Sequence, residues 1–391
     1  MVLFNQIPVS LVSAIALLIS LALALGMARN GLTRSFYLAL MCLHVLGSLA
    51  VYALTLRAPA DAHRYYAESE WLREFALGTQ FISFTLGWIR EFTNLTFLDA
   101  FMLFQIPGLV GILLLHRAAT HIAAEEFNTR VLLLGLLLLS PGLHMWTSSI
   151  GKDSLAIFAY GLISIAVMRR EVNLLYLSLG LLIYFLIRPH IAFELVAAMM
   201  LAFLPILGQS TRRTRLLGFG AAALFLIMLP FVFGFVGIDG KGVDDVQTYV
   251  ESRQNIAFRG GSSFDLVLLN PVERILTTMF RPFFFDAINI FGLAASVENL
   301  FLLLIFGYLA WHFQLILILM KNSAMLRFHV FFMLIFLAIF TQTVGNLGLA
   351  LRQKVMMIPA LFILLTMVIA YKNRRRQERR EALSTSAQPA Q

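Results

Sequence analysis

The sequence predicts an all-α fold, a polytopic transmembrane bundle of about eleven helices forming one membrane domain over residues 1–371. Three observations lead there. Only 13% of the 391 residues are charged and 60% are hydrophobic, with a mean hydropathy of +0.83. A soluble domain carries roughly 25% charged residues, so this chain has too little polar surface to coat a water-soluble globule. The apolar residues also run unbroken rather than alternating. In lipid, where each backbone group needs an internal partner, that pattern selects helices over barrel strands. Finally, Lys and Arg concentrate in every second connection, the positive-inside pattern.

The spans run about Pro8–Ala28, Ser35–Leu56, Phe97–His116, Val131–Met145, Ser154–Met168, Val172–Ile187, His190–Leu207, Leu216–Ile238, Leu293–Leu319, Phe328–Val344 and Val355–Tyr371. The first lacks a basic leader and is too long for the apolar core of a signal peptide, so it counts as a membrane helix. With the N-terminus outside, the inside connections hold Arg29, Arg34, Arg117, Arg130, Arg169, Arg170, Arg212, Arg213, Arg215, Lys321 and Arg327. Together with the basic run from Lys372 these make up more than half of the 30 Lys and Arg. The C-terminus is thereby cytoplasmic, and the setting expected is a bacterial inner membrane. The tail, 372–391, is basic and then Ser/Ala/Gln-rich. It is expected to be disordered and to rest near anionic lipid. That distribution accounts for the formal charge of +9 without nucleic acid.

Three outside segments are more than turns. The first, Arg57 to Phe92, opens with a polar stretch and continues as Thr79 to Trp88, too short to span and read as an interfacial or re-entrant helix. The second, near 239–291, is expected to be helical in part. Asn270-Pro271-Val272-Glu273 supplies a cap, a proline at the first position and an acid at the third. The third is the turn Gly345 to Lys354. Cys42 is the only cysteine, which excludes an intrachain disulfide. The chain has no phosphate-binding glycine loop, no dinucleotide fingerprint and no metal-ligand spacing among its 8 histidines, so neither a metal nor a cofactor is expected.

What remains is a set of cations at the outer helix ends: Lys152, Arg188, Arg281, and Arg352 with Lys354 in the last outer turn. The positive-inside trend gives no reason for them. Each singly reads as a snorkelling anchor. Jointly they suit an anionic ligand, since Arg grips phosphate bidentately and Lys offers a point charge. Helix starts after Lys152 and Arg188 would add backbone donors. His190 and Glu194 lie four apart on one helix face, and a carboxylate one turn into a span is a functional candidate. His190 then serves as general base oriented by Glu194, or Glu194 pairs structurally with Arg188 or His190. Asp61 is the other candidate base, against the plainer reading of an Asp opening a helix. Asp153 reads as a helix cap, and Glu298 inside the ninth span has no evident reason unless it faces the same cavity.

An outer loop with Asp61-x-x-x-Tyr65 after the second span, followed by Gly78-Thr-x-Phe-Ile82, resembles bacterial polysaccharide polymerases of the Wzy and EpsG-like kind. Ser148 to Asp153 falls where EpsG-like proteins open a helix with an Arg-Gln turn, here replaced by Lys152-Asp153. His190 stands at the next outer helix start, and Asn346…Arg352…Ile358-Pro359 is similar to their closing turn and helix. The loop is also distantly similar to that of GT-C glycosyltransferases using polyprenyl-phosphate sugars. The resemblance implies transfer of a glycan from undecaprenyl pyrophosphate to a sugar hydroxyl outside the membrane, without a metal, in exopolysaccharide or O-antigen synthesis. It implies a flippase and other assembly proteins as partners. On this reading Lys152, Arg188, Arg281 and Arg352 bind the lipid pyrophosphate, and His190 with Glu194, or else Asp61, takes the acceptor proton. Tyr65, Tyr66, Trp71 and Trp146 stack on sugar, or else form an interfacial aromatic belt. A GT-C transferase, a transporter or flippase, and a structural assembly subunit are the rival readings.

Overall fold

The computed structural model describes residues 10–58, 60–72, 74–122, 135–168, 172–204, 212–236, 269–287 and 289–386. Helices form the whole of its regular structure, and no β-strand occurs among the described residues. The first hairpin shows why helices start where they do. Ser10 caps α1 (Leu11–Met27) by accepting from the Ser13 amide, and Asn30 caps α2 (Gly31–Thr55) through Thr33. The segment that follows holds α3 (Asp61–Glu68) and α4 (Thr79–Phe92), the short helix expected there. Gly78, at φ +77°, makes the turn into α4 in a region that favours glycine, and its amide bonds Leu186 O at 2.8 Å.

Next comes α5 (Phe97–Ile122), then a 3-10 turn at Leu136–Leu139 and the short α6 (Pro141–Thr147), which meets α7 (Lys152–Met168) at a bend of 108°. α8 (Leu174–Ile187), α9 (Pro189–Phe203) and α10 (Arg212–Val236) follow. The remainder is α11 (Pro271–Phe280), α12 (Ile290–Trp311), α13 (Phe313–Asn322), α14 (Ala324–Thr343), α15 (Leu347–Gln353) with a 3-10 turn at Lys354–Met356, and α16 (Ile358–Ser386).

α7 sits at the centre, buried on nearly every face, as expected of a helix apolar all round. It packs on α5 and α8, while α9 packs on α10 and α14. α5 and α7 approach backbone to backbone. A side-chain carbon at Gly111 would lie 2.5 Å from Ile157 O, and one at Gly161 would lie 2.8 Å from Gly111 O. Small residues permit such contact in lipid, where packing rather than water drives association. Polar groups inside are paired across helices. Asp99 accepts from Ser10 and Ser13, His116 meets Tyr37 at 3.1 Å, and Tyr160 meets His329 at 2.8 Å. Large apolar side chains meanwhile face outward on α10 and α12, among them Phe219, Leu226, Ile227, Phe301 and Leu304.

This is a multi-pass helical membrane protein. Among the described residues five helices, Gly31–Thr55, Phe97–Ile122, Arg215–Phe235, Ile290–Trp311 and Ala324–Thr343, are long and apolar enough to cross. The count reaches seven if each bent pair, α6 with α7 and α15 with α16, crosses once. Three expectations change. The part of Val131–Met145 that is described is a 3-10 turn and the start of α6, not a continuous span. The ninth span breaks at His312, where α12 ends and α13 begins. The tail expected to be disordered from Lys372 is instead helical to Ser386. It is rich in helix-forming Arg, with Gln377, Glu378 and Glu381 among them, and Lys372 anchors its root on Tyr308 at 3.3 Å and His312 at 2.5 Å. The expected Asn270 start is present in full, with a reciprocal capping box to Glu273. Residues 239–268 of that segment, 131–134, and the connection with Arg169 and Arg170 lie outside the described residues.

Candidate functional site

The ends of several helices converge on Asp153. It occupies the first turn of α7 and is 4% exposed. Arg188 reaches it from the break between α8 and α9, with Nη2 2.5 Å from Asp153 Oδ1. Pro189 starts α9 there, so the chain turns and presents Arg188 before the new helix forms. Arg352, from α15, brings Nε to 2.7 Å from Asp153 Oδ2 and Nη1 to 2.6 Å from Asp61 Oδ2. Asp153 thus bridges two guanidinium groups, and Asp61 closes the chain of charges from α3.

Lys152 adds a third cation, its Nζ donating to Thr79 Oγ1 at 3.0 Å at the start of α4. Trp146 lies beneath Arg352, whose guanidinium carbon is 5.8 Å from the ring centre. The turn at Gly151 packs close to Tyr65 and Arg352. A side-chain carbon there would lie 3.5 Å from the Tyr65 ring and 3.9 Å from Arg352 Nη2.

The network is graded in depth. The Asp153 and Arg188 side chains are 5% and 9% exposed, Arg352 is 21% and Asp61 54%. The buried charges are matched and held rigidly, while the outermost carboxylate meets solvent. With three cations and two carboxylates the cluster keeps a net positive charge. It also keeps spare donors, because Arg188 Nε has no hydrogen-bond partner and Lys152 Nζ has three protons. Such a cluster can bind an anion at its open edge, where Asp61 is the more exposed of the two carboxylates.

The segment carrying α3 and α4 is itself braced. Glu68 accepts from Arg64 at 2.7 Å and from Ser83 at 2.8 Å. Burial pushes its carboxyl up, but these bonds outweigh burial and hold it below its usual range. Arg90 donates to Tyr66 O at 2.8 Å and to Glu70 at 2.9 Å, and stacks over the Tyr66 ring at 4.2 Å. Burial, with the Asp61 carboxylate second, raises the Tyr65 hydroxyl above its ordinary range.

Of the four cations expected to act together, Lys152, Arg188 and Arg352 meet. Arg281 does not join them. It caps the end of α11 and pairs with Asp286 at 2.5 and 3.0 Å. His190 is half-buried in the first turn of α9. Glu194, one turn on, is 2% exposed with Oε2 unpartnered. Arg188 takes Asp153 as its ion-pair partner rather than Glu194, because the Arg188 side chain turns toward α7. Asp61 opens α3 without capping it. Its carboxylate goes to Arg352 instead. Among the aromatics, Tyr65 is 2% exposed and cannot offer a ring face to a sugar. Tyr66 is held by Arg90 and donates to Leu95 O at 2.7 Å. Trp71 is exposed, and Trp146 is half-buried beside Arg352.

Sequence reasoning missed Asp153 as the hub, because an acid in a first helical turn carries the same signal whether it caps or bridges. It also missed Thr79, and it left Glu298 without a role. Among the described residues no group of three or more His, Cys, Asp or Glu is placed to hold a metal ion.

Fold and site together define a multi-pass helical membrane protein with a partly exposed ion-pair network built at helix breaks. Comparisons with protein-family models, with curated proteins and with solved structures find no match to this chain.

Proposed function

We propose that the protein transfers or polymerises a glycan carried on undecaprenyl pyrophosphate, at the outer face of a bacterial inner membrane. What supports the reading above all is the gathering of Lys152, Arg188 and Arg352 around Asp153, with Asp61 at the open edge. Asp61, rather than His190, is the proposed base, being more exposed and belonging to the cluster. It takes the proton of the acceptor hydroxyl as that oxygen attacks the anomeric carbon. The bond from that carbon to the pyrophosphate oxygen breaks, and undecaprenyl pyrophosphate leaves with its charge met by Arg352, Arg188 and Lys152. Arg281 takes no part.

The orientation that goes with this has the N-terminus outside, the C-terminus cytoplasmic and about eleven membrane passages, α6 with its preceding turn counting as one. The supporting pattern is that Arg29, Arg34, Lys321 and Arg327 lie at helix ends away from the cluster, while Lys372 lies midway along α16 beside His312, where α12 ends. A GT-C transferase using a monophosphate-linked sugar is the second reading, favoured by one observation, the carboxylate of the first outer loop lying against Arg352.

The test is a deletion strain complemented with variants. A polymerase predicts lipid-linked repeat units that accumulate and long glycan that disappears, with R188A and R352A failing to complement. An unchanged chain-length profile in the deletion strain would rule polymerisation out. Loss of one sugar from each repeat would instead favour the GT-C reading.

A further inference from the structure

We infer that Glu298 and Asn299, with Lys354, are positioning residues that fix where the two broken segments present Lys152 and Arg352. The two polar residues are adjacent in the otherwise apolar α12. Neighbours on a helix point about 100° apart, so each reaches a different partner. Glu298 Oε1 accepts from Ser140 Oγ at 2.9 Å and from the Gly142 amide at 2.5 Å, which holds the first turn of α6. α6 carries Trp146 and runs through Ser148–Gly151 into Lys152.

Asn299 is fully buried. Its Nδ2 donates to Pro282 O at 2.8 Å and its Oδ1 accepts from Lys354 Nζ. Lys354, 3% exposed, also donates to Met279 O at 3.3 Å. It opens the turn after α15, two residues beyond Arg352. α12 therefore grips both breaks, one through Glu298 and the other through Asn299 and Lys354. The chain ends that meet at Asp153 are fixed from behind. Polar groups in lipid are costly and mark function. Here the reason for them is placement rather than contact with a ligand.

The inference rests on reading the Asp153 cluster as an anion site, and two independent measurements test it. The first is titration of inorganic pyrophosphate into the full chain in nanodiscs. K354M and N299L should each weaken binding roughly tenfold, within the coupling range of contacting residues, and K354R should restore most of it. In an R352A background K354M should cost nothing further. Additive losses would mark a merely structural role and overturn the brace. The second is emission from Trp146 as the one remaining tryptophan, with Trp71, Trp88 and Trp311 replaced by Phe. K354M and N299L should shift it as Arg352 leaves the ring, and K354R should not. Unchanged emission overturns the inference. If the wild-type chain fails to bind pyrophosphate, the proposed function fails and the emission result alone decides the brace. Should K354M not fold, N299D takes its place, keeping an acceptor for Lys354 while losing the donor to Pro282.

Discussion

Replacing Asp153 by Ala removes the carboxylate that two arginines share. The consequences for those arginines differ. Arg352 keeps Asp61 at 2.6 Å and is 21% exposed, so it retains a partner and some water. Arg188 loses its ion-pair partner, and its Nε already has none. With a side chain only 9% exposed, it becomes an unpaired buried cation. Stranding one member of a buried pair costs about 3–5 kcal/mol. D153A should therefore lower unfolding free energy by about that amount, measured by reversible unfolding in mixed micelles. The D153L/R188L double variant should recover much of the loss, since no buried charge is then stranded. A D153A protein within about 1 kcal/mol of wild type, the range of an exposed pair, would refute the reasoning. So would a double variant whose cost is the sum of the two single ones.

Asp61 gives the opposite separation of stability and activity. Its side chain is 54% exposed, so D61N should change stability by no more than about 1 kcal/mol yet abolish glycan transfer in complementation. Wild-type glycan with D61N would remove Asp61 as the base. The loop closed by Arg281 and Asp286 should respond to acid. The hydrogen bond from Arg281 holds the Asp286 carboxyl below its ordinary value of 3.8. Its folded pKa thus lies below the unfolded one, and the stabilisation is complete above the unfolded value and lost as pH falls through the depressed one. Exchange of the Phe283 amide, which donates to Asp286 at 2.8 Å, should accelerate only below about pH 4. Acceleration already near neutral pH would contradict the pairing.

The helical membrane class was legible because it rests on bulk properties, low charge and long apolar runs. Local chemistry was legible too. The Asn270 capping box and the short α4 follow from residues close in sequence. Long-range pairing was not. Arg352 meets Asp61 across 291 positions and Asp153 across 199. Nothing in composition or period selects those partners over others, so three of the four cations expected to act together converge while Arg281 stays with its neighbour Asp286. Glu298 was opaque for the same reason, its partner Gly142 lying 156 positions away. The break at His312 carries no Gly or Pro to announce it. Instead His312 turns to the root of the tail at Lys372, which holds the basic helix that composition alone reads as unstructured.

Equilibrium binding of undecaprenyl pyrophosphate to the purified full chain in nanodiscs bears most directly on the proposed site. The account expects saturable binding that R188A and R352A each weaken about tenfold or more, the size of a lost hydrogen bond to a charged group, with R281A unchanged. Binding indifferent to R188A and R352A, or lost equally with R281A, would contradict it.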